Sequence, residues 1–159
     1  IDPVGGFVTK NIIVGTRPRR FALTPDGKEL WVTAELSGEV YVIDRATLKI
    51  KDVITFLPPG MRPEHVTPVG LRISKTGTFA IVTLGRANHV AFVDVASRKI
   101  EEYVLVGRRA WGLEITADEK TLYVTNGLSD DVTVVDVKSR RPLKSIPVGR
   151  VPYSVLIDD

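Results

Sequence analysis

The sequence predicts an all-β repeat protein, and three observations carry that prediction. First, a short apolar run closed by aspartate recurs as Val40-Tyr41-Val42-Ile43-Asp44, Val90-Ala91-Phe92-Val93-Asp94 and Val132-Thr133-Val134-Val135-Asp136, with the aspartates 50 and 42 residues apart. Second, the Val-Gly pairs beginning at Val14, Val106 and Val148 keep the same ruler, 92 and then 42 residues apart. Third, no stretch sustains helical periodicity, whereas short runs rich in Val, Ile, Thr and Tyr alternate with Pro, Gly and Asp. A four-stranded unit of about 40 to 45 residues is the size of a β-propeller blade, and a β-sandwich would not repeat so regularly.

Within the first unit the strands are expected at 20–24, 29–33, 39–44 and 48–55, called here inner, second, third and outer. Thr24-Pro25-Asp26-Gly27-Lys28 joins the first two, because Pro sets φ for a turn and Gly accepts φ > 0. Ser74-Lys75-Thr76-Gly77 and Thr116-Ala117-Asp118-Glu119-Lys120 are its equivalents. Each third strand ends in Asp-x-x-Thr/Ser, pairing Asp44 with Thr47, Asp94 with Ser97 and Asp136 with Ser139, so that the carboxylate can accept hydrogen bonds from the following turn. These aspartates read as structural. The longer first period places its eight extra residues within 56–67, where Pro and Gly are dense.

The register extends to both ends. Residues 1–2 match the end of a third strand, 11–13 an outer strand, and 152–157 an inner strand equivalent to Ala110-Trp111-Gly112-Leu113-Glu114-Ile115. The expected organisation is a single propeller segment: a partial blade over 1–15, blades over about 16–63, 64–107 and 108–149, and a partial blade over 150–159. Three whole blades are fewer than the four to eight that close a propeller, so the remainder of the ring or another chain is expected to complete it.

Composition bounds the function. A chain of 159 residues that is 43% hydrophobic can bury a one-domain core, and it contains no apolar run long enough for a membrane helix. The absence of cysteine excludes disulfides, thiolate metal sites and a Cys nucleophile. Ile1-Asp2-Pro3-Val4 lacks the regions of a signal peptide and is silent on export. A formal charge of +3 is too modest, and the aromatics fall too often inside strands, for nucleic acid to be the expected partner.

Leu30-Trp31-Val32-Thr33 and Leu122-Tyr123-Val124-Thr125-Asn126, each followed by Val-x-Val-Ile/Val-Asp, together with Ile146-Pro147-Val148-Gly149 and Pro152, resemble the YVTN repeat of bacterial and archaeal β-propellers. Arg62-Pro63-Glu64, Pro68-Val69-Gly70 and Ala34-Glu35-Leu36-Ser37-Gly38-Glu39-Val40 look most like the periplasmic propeller proteins associated with pyrroloquinoline-quinone-dependent alcohol catabolism. The resemblance implies a seven-bladed ring, a periplasmic or extracellular location, and a binding or scaffolding role. The middle unit departs from the motif with Ile81-Val82-Thr83-Leu84, so its second strand is recognised by register alone.

Ligands of a propeller usually meet the face formed by the outer-to-inner and second-to-third loops. Register collects Arg17, Arg19 and Arg20 there, with Arg62 and His65; Arg86, Asn88 and His89; Arg108, Arg109 and Trp111; and Arg150 and Tyr153. Arg19, Val69, Trp111 and Tyr153 are equivalent positions and are expected to ring the channel mouth. Arginine forks beside aromatic rings suit carboxylates, phosphates or an acidic protein surface. The plainer alternative has these arginines solvating loops while Trp111 and Tyr153 fill gaps between blades. Arg72 and Glu114, equivalent in adjacent inner strands, are expected to pair structurally along the channel wall.

His65 and His89 are the only histidines, and a metal site would need Glu64 or Glu35 beside them. Both read better as loop residues. Asn126-Gly127-Leu128-Ser129-Asp130-Asp131 lacks the spacing of a calcium loop and reads as a tight polar turn. No Gly-x-Ser-x-Gly or phosphate-binding loop is present, so no catalytic residue, metal ligand or cofactor is assigned. The expected function is non-catalytic recognition of a partner protein or small anionic ligand, accessory to quinoprotein alcohol oxidation. A lactonase-like or haem- or metal-binding propeller enzyme and a cell-surface or surface-layer module are the alternatives.

Overall fold

A computed structural model describes residues 1–158 as three four-stranded antiparallel sheets. In the first sheet β1 (Pro18–Leu23), β2 (Glu29–Ala34), β3 (Glu39–Asp44) and β4 (Lys49–Thr55) lie in sequence order. The second holds β5 (Pro68–Ile73), β6 (Phe79–Leu84), β7 (His89–Asp94) and β8 (Ile100–Leu105). The third holds β9 (Ala110–Ile115), β10 (Thr121–Asn126), β11 (Asp131–Asp136) and β12 (Arg141–Pro147). Sequential meanders of this kind, stacked side by side, are propeller blades, with β1, β5 and β9 as neighbouring inner strands. No helix among the described residues is long and apolar enough to cross a membrane.

The turns follow their local chemistry. At each third-strand end the aspartate Oδ1 accepts from the backbone N–H and the hydroxyl of the residue three on, at 2.7 and 2.8 Å for Asp44, 2.7 and 2.6 Å for Asp94, and 2.7 and 2.6 Å for Asp136. These bonds hold all three carboxyls below their ordinary range. In the β9–β10 turn the Thr116 hydroxyl, with Lys120, holds Asp118 down to about 2. The twelve-residue loop between β4 and β5 carries a single 3₁₀ turn, Pro63–His65.

The core lies between blades rather than within them. Trp31, Val40, Val42 and Ile54 of the first blade pack against Leu71, Ala80, Val82 and Val93 of the second. On its other side the second blade presents Ile81, Val90 and Phe92 to Leu113, Leu122 and Val124. Adjacent residues of β6 thus serve opposite neighbours, as the two-residue alternation of a strand requires. A charged clasp reinforces each junction on the side away from the channel mouth. Arg98 lies over the Trp31 ring at 5.2 Å and donates to Glu29 at 2.6 Å, while Arg140, at the equivalent place one blade on, lies over Phe92 at 5.3 Å and pairs with Glu101. Burial pushes the Glu29 carboxyl up, but hydrogen bonds from Lys51 and Trp31 and the charge of Arg98 outweigh it and leave the group below its ordinary value.

The conserved geometry of the three blades centres on a bulge that periodicity did not reveal. In each inner strand two residues face one threonine: Arg19 and Arg20 oppose Thr33, Val69 and Gly70 oppose Thr83, and Trp111 and Gly112 oppose Thr125. The bulge deprives one backbone N–H of its ladder partner, and the threonine hydroxyl accepts it: from Arg20 at 3.0 Å, Gly70 at 2.7 Å and Gly112 at 2.9 Å. The same hydroxyl donates to the segment that follows, at the carbonyls of Val69 (3.0 Å) in β5, Trp111 (2.8 Å) in β9 and Tyr153 (3.2 Å) beyond β12. Each threonine therefore closes a bulge in its own blade and fastens the blade that follows.

Both chain ends differ from expectation. Residues 1–17 and 148–158 hold no strand, although 11–13 and 152–157 match outer- and inner-strand positions. An outer strand pairs with the third strand of its blade and an inner strand with the second, and among the described residues neither 11–13 nor 152–157 has that neighbour. The turn chemistry at the start persists without its sheet, since Asp2 accepts from the N–H of Val4 at 2.8 Å and of Gly5 at 3.0 Å.

Candidate functional site

Antiparallel meanders bring the outer-to-inner and second-to-third loops to one end of the stack. The bulges at that end re-aim the residues just inside each inner strand. Backbone bonds tie the loops together: Glu35 and Leu36 N–H groups donate to the carbonyls of Arg17 and Thr16, and Gly127 and Leu128 to those of Arg109 and Arg108. Arg17, Arg109 and Val151, equivalent positions in the first, third and last units, all adopt left-handed backbone, with φ of 62°, 63° and 55°.

At the centre of this face five expected residues, Arg17, Arg19, Arg20, Trp111 and Tyr153, are linked by contacts. Arg19 donates through Nη2 to the Tyr153 hydroxyl at 2.8 Å, joining the first blade to the stretch that follows the third. The Trp111 and Tyr153 rings lie 5.7 Å apart at a tilt of 57°, and the Arg20 guanidinium sits 5.8 Å from the Tyr153 centroid. Glu35 lies beneath, buried, with Oε2 3.3 Å from Arg17 Nε and 3.4 Å from Arg19 Nε. Its Oε2 has no hydrogen bond of good geometry among the described residues, so both arginines hold it by charge alone.

The remaining expected residues are placed elsewhere on the face. Arg62 precedes and His65 ends the 3₁₀ turn of the long loop, both exposed, and Arg86 stands exposed in the 3₁₀ turn Gly85–Ala87. Arg108 and Arg109 are anchored through their backbone, to the Ser129 hydroxyl at 2.9 Å and Asn88 Oδ1 at 2.8 Å. Arg150 is exposed at the end of its loop. One expected position is not met. Val69 does not line the mouth; it is buried, because a branched apolar side chain gains more beneath Gly85 than in an open polar rim. His89 turns to its own blade, with Nδ1 2.6 Å from the Ala87 carbonyl oxygen and its ring edge-on to Tyr103 at 6.4 Å. Among the described residues no three His, Cys, Asp or Glu side chains converge.

The sequence marks Glu35 as a possible metal companion and not as a partner of the arginines. The signal that could have found it is positional, because the equivalent residues of the next two blades are Gly85 and Gly127. A Cβ at Gly85 would crowd the Thr67 hydroxyl, and one at Gly127 would collide with the Trp111 ring. Only the first blade has room for a side chain there, and it carries a carboxylate.

Below the mouth Arg72 and Glu114 form the expected pair across adjacent inner strands. It is bidentate, with Nε to Oε1 at 2.9 Å and Nη2 to Oε2 at 2.6 Å. The Arg72 fork holds the Glu114 carboxyl below its ordinary value against the opposing effect of burial, and Glu114 in turn raises Arg72. With both partners committed to each other, the pair braces the channel wall.

Several solved structures resemble this chain. Hydrazine synthase of Kuenenia stuttgartiensis superposes with a TM-score of 0.77 at 22% identity, over 94% of this chain and 42% of that one. The periplasmic gluconolactonase of Pseudomonas aeruginosa gives 0.72 at 26% identity, over 87% of this chain and 42% of its own. A protein from Lactobacillus plantarum gives 0.76 at 19%, over 91% and 46%. The chain thus spans under half the length of each, and no curated protein matches it. The model of one family, described as lactonase, 7-bladed beta-propeller, matches residues 8–147. On that match over most of its length, the chain belongs to the seven-bladed β-propeller lactonase family.

Proposed function

We propose that the channel mouth binds a small organic anion, a carboxylate carried on a body that can lie against an aromatic ring. The observation that carries this reading is the run of contacts along the loop face from Arg17 through Glu35 to Arg19, and from Arg19 through Tyr153 to Trp111. Guanidinium forks recognise carboxylates bidentately, and the tilted rings offer an apolar wall. Bulges hold Arg19 and Trp111, and hydrogen bonds tie Arg17 to Glu35 and Tyr153 to Arg19 and Thr125, so little ordering entropy is lost on binding. The setting we propose is periplasmic, as the printed name of the Pseudomonas aeruginosa neighbour has it for that enzyme. An accessory role beside a quinoprotein dehydrogenase belongs to the same proposal and rests on the resemblance of the 62–64 and 68–70 stretches.

The ring itself is proposed to be completed by further blades. Phe21 and Leu23 of β1 are 73% and 50% exposed, whereas Leu71 and Leu113, the equivalents of Phe21, are 1% and 5% exposed against the blade before them. The first blade therefore offers an apolar face of the kind that neighbouring blades cover.

Calorimetric titration with sodium gluconate, and with glucose as the neutral control, tests the anion site. Gluconate is expected to bind with an affinity that falls as salt rises, glucose not to bind, and Arg19→Ala to weaken gluconate about tenfold, the value of one charge-assisted hydrogen bond. Equal binding of gluconate by Arg19→Ala at low and high salt would sink the proposal. A second reading, lactone hydrolysis at the same mouth, is favoured by the family match and by the gluconolactonase neighbour. Acid release from glucono-δ-lactone, followed by pH-stat above the spontaneous rate, separates it from binding alone.

A further inference from the structure

We infer that Glu35 is the positioning residue of the mouth: it holds Arg17 and Arg19 side by side as one anion fork and sets the fork's charge to suit a monoanion. The inference rests on the anion-binding reading above.

Two guanidiniums two residues apart, Arg17 just before β1 and Arg19 within it, repel each other unless something between them is negative. Glu35 Oε2 supplies that charge, 3.3 Å from Arg17 Nε and 3.4 Å from Arg19 Nε. Glu35 Oε2 lies near the Nε of each arginine without taking a hydrogen bond of good geometry from either, so it balances their charge and leaves their N–H groups to other acceptors. Arg19 Nη2 already reaches outward to the Tyr153 hydroxyl at 2.8 Å, and the Arg17 side chain is 53% exposed. A ligand carboxylate can thus approach the outer edges without removing Glu35.

Displacing Glu35 is the poorer alternative. Its side chain is only 5% exposed, and a buried carboxylate stripped of its cations keeps an uncompensated charge. Glu35 therefore stays in place as the ligand binds, and the triad of two arginines and one glutamate carries one net positive charge. One carboxylate neutralises it, whereas a phosphate dianion leaves an excess of negative charge beside buried Glu35. The glycines at the equivalent positions of the other two blades confine this device to one side of the mouth, so the ligand's carboxylate has a defined direction.

The test is calorimetric titration of the chain, Glu35→Gln and Glu35→Asp with sodium gluconate and with inorganic phosphate. Gln keeps the shape and removes the charge; Asp keeps the charge and shortens the reach. Glu35→Gln is expected to lose about tenfold in gluconate affinity and to shift the gluconate-to-phosphate preference toward phosphate by a further factor of about ten. Glu35→Asp is expected to lose gluconate affinity while keeping the preference. If both variants bind gluconate as tightly as the parent, or tighter, Glu35 is a competing counter-ion and the inference is overturned while the anion site stands. If the parent binds neither anion, the anion site itself fails. Thermal melting accompanies each titration; should Glu35→Gln not fold, Glu35→Asp alone decides, since unchanged gluconate affinity there also overturns the positioning role.

Discussion

Replacing Thr83 with valine isolates the bond network that links one blade to the next. Thr83 is fully buried, accepts from the Gly70 N–H at 2.7 Å and donates to the Trp111 carbonyl at 2.8 Å. Valine has nearly the same shape, so no cavity forms, but a backbone donor in the second blade and an acceptor in the third lose their partner together. Each buried group left unsatisfied costs about 1–3 kcal/mol, so the pair predicts a loss of about 2–4 kcal/mol after credit for the added methyl. Serine keeps the hydroxyl and removes only a methyl, which predicts about 1 kcal/mol. Urea denaturation followed by the fluorescence of Trp31 and Trp111 measures both, with unchanged m-values showing that the unfolded state is the same. If Thr83→Val loses no more stability than Thr83→Ser, the hydroxyl does not fasten the blades and the reasoning fails.

Three further outcomes follow from the same structure. Arg98→Ala removes the cation over Trp31 and one of two cations on Glu29 while Lys51 remains at 2.8 Å, so a loss of about 1–3 kcal/mol in urea melts is expected, with a shift in Trp31 emission. Because the folded pKa of Glu114 lies below its unfolded value, its contribution is complete above the ordinary glutamate range and is lost as pH falls through the folded value. Removing its partner with Arg72→Leu should flatten that acidic limb of the stability curve, and an unaltered limb would show that the pair does not carry it. Gly127→Ala forces the Trp111 ring off its seat, so it should alter Trp emission and weaken gluconate binding; unchanged titrations would mean that Trp111 takes no part in the site.

The strands, the turns and the blade period were legible in the sequence because each is written locally. Alternating apolar residues need no distant partner to mark a strand, and Asp-x-x-Thr/Ser closes its turn through contacts three residues apart. Repetition converted that local code into one long-range result, the Arg72–Glu114 pair, since equivalent positions in adjacent inner strands must lie side by side. The tertiary structure alone decided what depends on unequal neighbours. Whether 11–13 and 152–157 form strands turns on the presence of a pairing strand, which periodicity cannot report. Val69 sinks while Trp111 and Tyr153, its equivalents, stay at the mouth, because side-chain volume and polarity differ at one shared backbone position. Glu35 between two arginines, and Arg19 on Tyr153, are contacts between residues far from any shared motif. Repetition predicts how blades are alike; the site lies where they differ, and those differences meet only when the blades are stacked.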